Sequence, residues 1–100
     1  MIVEERCYVL HATVTVNDYL EVFRRDGLAL QRETLGGLIG YFTTEVGELN
    51  AIVSLWEYPS FDERQRRRDA LAAHPAWQQY LKQVRPMIRS MSNRLMNRAV

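Results

Sequence analysis

His11, His74 and Cys7 are the only imidazole and thiol groups in the chain. The histidines lie far apart and form no H-E-x-x-H pair, so no metal site within one chain is expected and no cofactor is implied. Cys7 has no evident activating partner in sequence. On an extended strand His11 shares a face with Cys7 and Val9, which makes it a candidate general base or axial haem ligand, because imidazole titrates near neutrality. The plainer alternative is a strand-end histidine bonded to backbone or water. His74 stands before a proline at a helix junction, the place of a capping or surface residue.

Two further groupings can do chemistry. Trp56 and Tyr58 share one face of a strand while Glu57 takes the other. Such a carboxylate can sit at a pocket mouth and move a proton, and the aromatic pair can stack a planar substrate. Core packing accounts for the aromatics more simply, and an arginine partner for Glu57. Phe61, Arg64, Arg68 and Leu71 then recur at i, i+3, i+7 and i+10, so two arginines share the face that carries a helix's large apolar side chains. A guanidinium offers paired donors in a fixed fork, which suits a carboxylate or phosphate held between this helix and a sheet. In the competing reading the stems cover apolar surface and the heads pair with Asp62, Glu63 or Glu57. The leading expectation is a small-molecule pocket lined by Tyr41, Trp56, Tyr58, Arg64 and Arg68, with His11 or Glu57 as the proton-moving group if there is a reaction. A non-catalytic assembly module is the alternative from another class.

The elements that must position these residues follow from local signals. A strand runs from Val3 to Val14, with Cys7-Tyr8-Val9-Leu10 apolar on consecutive positions. Thr15 and Asp18 form an approximate capping box that opens a helix from about Val16 to Glu33. Gly36-Gly37 ends it, and Leu38–Thr44 and Leu49–Tyr58 read as a hairpin. Ser60 and Glu63 open a second helix, Phe61 to Ala73; His74-Pro75 starts a third; Ile88 to Met96 is the last strand. The order β, α, β, β, α, α, β is the ferredoxin-like split βαβ plan, an α+β fold with a four-stranded antiparallel sheet and helices on one face. Strands one and three look apolar on both faces, and one helical layer hides only one. The open face is therefore expected to meet an identical sheet in a homodimer.

At 100 residues and 11.7 kDa the chain has room for one domain, and 47% hydrophobic with 25% charged residues is a folded composition. The formal charge of +1 argues against a nucleic-acid partner. It hides an asymmetry: residues 1–50 carry four basic and eight acidic side chains, residues 51–100 nine and four. The halves are expected to neutralise each other by lying side by side. With a lone cysteine, no leader-like start and no long apolar run, the chain is expected to be cytoplasmic and not inserted in a membrane.

The stretch Gly40-Tyr41-Phe42-Thr43-Thr44-Glu45-Val46-Gly47-Glu48-Leu49-Asn50, followed by Leu55-Trp56-Glu57-Tyr58, by Glu63 to Leu71 and by Trp77, resembles the NIPSNAP family. The resemblance implies a dimeric α/β barrel. The wider superfamily includes cofactor-free monooxygenases, haem-degrading enzymes and muconolactone isomerases, so a cofactor-independent oxygenase or isomerase is the enzymatic reading it implies. Members often have histidine before the Leu-Trp pair, where this chain has Ser54.

Overall fold

A computed structural model describes all residues, 1–100. The strands are β1 (Ile2–Leu10), β2 (Leu38–Thr43), β3 (Ala51–Tyr58) and β4 (Ile88–Asn97); the helices are α1 (Val16–Val22), α2 (Leu28–Leu35), α3 (Phe61–Ala73) and α4 (Pro75–Val84). The strands pair antiparallel in the order β2-β3-β1-β4, the ferredoxin-like arrangement that the element order predicts. The acidic and basic halves of the chain meet where β4 lies along β1, with Arg94 3.2 Å from Glu5.

Each helix start has a local cause. The Thr15 hydroxyl accepts from the Asp18 N–H while the Asp18 carboxylate accepts from the Thr15 N–H, both at 3.0 Å. The Ser60 hydroxyl accepts from the Glu63 N–H, and His74 Nδ1 accepts from the Ala76 N–H beside Pro75.

Three boundaries differ from the expected ones by two residues or more. β1 stops at Leu10 because the side-chain amide of Asn50 donates to the carbonyls of His11 and Val14 and gathers that segment into a turn. β3 starts at Ala51 because Asn50 itself takes φ +59°, a left-handed conformation outside strand geometry. The first helix reaches Leu35 and is interrupted by a π turn over Phe23–Gly27, where the Leu28 N–H reaches back to the Phe23 carbonyl. Gly27 in that turn lies against Tyr80; a Cβ there would stand 2.7 Å from the ring.

The register sorts the two sheet faces. Ile52, Ser54, Trp56 and Tyr58 of β3 and Glu4, Arg6 and Tyr8 of β1 face the helices. The core lies between, built from Tyr19, Phe23, Leu35, Ile52, Trp56, Tyr58, Leu71, Trp77, Tyr80 and Val84. On the opposite face Val3, Cys7, Val9, Val53 and Leu55 are only half-buried and Phe42 is 49% exposed.

Candidate functional site

β1 lies second from the sheet edge with α3 above it, and its helix-facing positions are charged where a core strand is normally apolar. Glu4 is fully buried. Its Oε2 accepts from Arg64 Nη2 at 2.7 Å, from Asn93 Nδ2 at 2.9 Å and from Arg6 Nη1 at 3.1 Å. Burial alone would raise the carboxyl pKa, but the Arg64 and Asn93 hydrogen bonds and the nearby Arg6 and Arg68 charges outweigh it and hold Glu4 at about 2. A buried charge needs such partners, since stripping water from it costs several kcal/mol. Arg64 therefore pairs with Glu4, not with the expected Asp62, Glu63 or Glu57. The Glu63 carboxylate is taken by Arg66 and Arg67 and the Glu57 carboxylate by Arg98.

Arg68, one turn along α3, has no carboxylate partner. Its Nη1 and the Tyr58 hydroxyl are buried facing each other, without a well-formed hydrogen bond between them. Beside it opens a cavity of about 330 Å³ between β1, β4, α3 and α4, whose wall includes Arg6, Tyr8, Arg68, Asp69, Trp77 and Arg85. The Arg6 guanidinium is tied there. Its Nε donates to the Tyr8 hydroxyl at 3.1 Å, and its Cζ lies 5.7 Å from the Tyr8 ring centre.

The distribution of ion pairs sharpens the picture. Eight of the thirteen basic side chains form salt bridges. The four arginines that form none, Arg24, Arg32, Arg68 and Arg85, all line cavities. The arginines without an acidic partner thus all lie at concave parts of the molecule.

Among the expected pocket residues, the fold brings only Arg68 to this cavity. Trp56 and Tyr58 are completely buried, because β3 is an inner strand with helices packed on that face. Trp56 Nε1 donates to the Ser54 hydroxyl at 3.0 Å. Arg64 lies behind the cavity, on Glu4. Tyr41 lines a different cavity on β2 and donates its hydroxyl to Gln31 at 2.6 Å. His11 is exposed beyond the end of β1, and Glu57 is on the other sheet face, 2.9 Å from Arg98. Neither candidate for proton transfer reaches the cavity or the other.

Burial raises the hydroxyl pKa of Tyr19, Tyr41 and Tyr80, so none supplies a phenolate near neutrality. No three His, Cys, Asp or Glu side chains come together as metal ligands. The residues that sequence patterning missed are Glu4, Arg6 and Arg85. The one signal for the first two was Glu4-Glu5-Arg6 inside a strand otherwise apolar enough to be central, where charges inward need partners.

Comparison with known proteins places these features in a family context. The family model described as NIPSNAP matches residues 3–100. A solved NIPSNAP family protein of unknown function from Agrobacterium tumefaciens is 37% identical, with a TM-score of 0.94 over 99% of this chain and 88% of that one. The NipSnap homolog of Dictyostelium discoideum is 43% identical over 47 residues, 47% of this chain and 21% of its own length. The chain spans only 17–30% of the curated relatives it matches. A cofactor-independent oxygenase from Streptomyces nogalater superposes with a TM-score of 0.61 at 13% identity, over 99% of this chain and 93% of that one, a likeness of fold alone.

Proposed function

The chain belongs to the NIPSNAP family, and we propose that it binds a small planar organic carboxylate in the cavity beneath α3 and α4. The observation that carries this reading is the Arg68 guanidinium, which lines the cavity without an acidic partner in the chain. A guanidinium with no counter-charge presents paired donors in a fixed fork, and an arriving carboxylate would meet it with charge-assisted bonds. Arg85 adds a second unpaired cation, and Tyr8 and Trp77 add aromatic surface for a flat ligand. Glu4 supports the site from behind by neutralising Arg64 and tethering Arg6, which leaves Arg68 free.

Thermal shift with benzoate and naphthoate tests the proposal. A ligand at a hundred times its dissociation constant stabilises the fold by about 2.7 kcal/mol. The stabilisation is expected for the carboxylates but not for benzamide, and it should disappear in Arg68→Ala while persisting in Arg66→Ala, which alters an exposed side chain of the same helix. Equal shifts in Arg68→Ala, or from the neutral amide, would overturn it.

We further propose that two chains pack through their open sheet faces. The half-buried row of Val3, Cys7, Val9, Val53 and Leu55 supports this, since an apolar sheet face of that extent is ordinarily covered.

A further inference from the structure

A second concave feature lies at the opposite edge of the sheet, independent of the cavity under α3. β2 is an edge strand, and its sequence Leu38-Ile39-Gly40-Tyr41-Phe42-Thr43 contains neither a charge nor a proline. Edge strands usually carry such residues because their free N–H and C=O groups otherwise recruit another chain. The other edge, β4, follows that rule with Arg89 and Arg94. Beside β2 runs a groove of about 400 Å³ whose floor is Phe23, Leu28, Leu38 and Tyr41 and whose helical wall carries Arg24 and Arg32. It continues into a smaller cavity of about 220 Å³ shared by Arg24 and Thr43. Neither arginine has an acidic partner within the chain.

We propose that this edge and groove receive an extended segment of another protein, added as a fifth strand beside β2, with two acidic side chains four residues apart. The helix turns back at Gly36-Gly37, so it runs antiparallel to β2, with Arg32 toward the Leu38 end and Arg24 toward the Thr43 end. Eight helical residues separate the two arginines by about 12 Å. Four residues of an extended strand cover about 13 Å and return the side chain to the same face. An acidic residue at each end would thus meet a guanidinium, with an apolar side chain between them over Leu28. Backbone bonds to β2 give affinity, and the alternate side chains give specificity. Within residues 1–100 no two acidic residues are spaced by four, so a second copy of this domain does not supply the segment.

Fluorescence anisotropy with labelled nine-residue peptides centred on Glu-Thr-Val-Thr-Glu tests the proposal. Saturable binding is expected, weakened about tenfold or more when Arg24→Ala and Arg32→Ala are combined, with circular dichroism unchanged because both side chains are exposed. A peptide of equal composition with adjacent glutamates should bind at least about tenfold more weakly. Methylating alternate backbone nitrogens of the peptide, which leaves the protein untouched, should abolish binding in one register and spare it in the other. The proposal fails if no peptide binds at millimolar concentration, if glutamate spacing is immaterial, or if both methylated registers bind alike. It also fails if decanoate, and no peptide, stabilises the protein through the two arginines, since the groove would then hold an acyl amphiphile.

Discussion

Arg64 Nη2 lies 2.7 Å from Glu4 Oε2, joining residues sixty positions apart across the interface between α3 and the inner strand β1. The contact disposes of one charge of each sign at the centre of the molecule. It also separates two of the four arginines of α3: Arg64 is held by Glu4, whereas Arg68 lines the cavity with no acidic partner.

Glu4 makes stability depend on acid. Its folded pKa of about 2 is below the 4.5 of an ordinary glutamate. Its contribution is therefore fully present above about pH 5 and is lost as the pH falls from there through 2, amounting to about 3 kcal/mol. Urea unfolding at pH 7 and pH 3 should show about 2 kcal/mol of that loss, and Glu4→Gln should flatten it. Glu4→Ala should destabilise by about 3–5 kcal/mol at pH 7 by leaving Arg64 buried without its counter-charge. An equally steep acid limb in Glu4→Gln would move the effect to another carboxylate.

Asn50 combines a left-handed backbone with two hydrogen bonds, 3.0 and 2.8 Å, to the carbonyls of His11 and Val14. Asn50→Gly keeps the backbone freedom and loses only the bonds, whereas Asn50→Ala loses both. Chemical denaturation should rank them wild type, Gly, Ala, with Ala about 2 kcal/mol below wild type. Equal losses would mean that the turn relaxes and the conformation carries no cost.

The open sheet face predicts assembly. At micromolar concentration the wild type should sediment at twice 11.7 kDa, and Leu55→Arg at the single-chain mass. Cys7 is on the same face, where burial and the neighbouring Glu5 and Glu48 raise its thiol pKa. Iodoacetamide should therefore label it slowly in the wild type and faster in Leu55→Arg. A wild-type species at 11.7 kDa would refute the assembly.

Much of the fold was legible along the chain. Thr15 with Asp18, Ser60 with Glu63, Gly36-Gly37 and His74-Pro75 mark element ends through contacts within a few residues, and the order of elements then limits the sheet to one arrangement. The site was less legible. Helical spacing placed Arg64 and Arg68 on one face of α3, but both face a strand whose register, not their own spacing, sets which acid they meet. Trp56 and Tyr58, candidates for the pocket although core packing was the simpler reading, are core because β3 is an inner strand. Periodicity reports only which side of an element a residue occupies. Which charges cancel, and which guanidinium is left facing a cavity, depends on contacts such as Glu4 with Arg64 that exist only when the sheet and helices have packed.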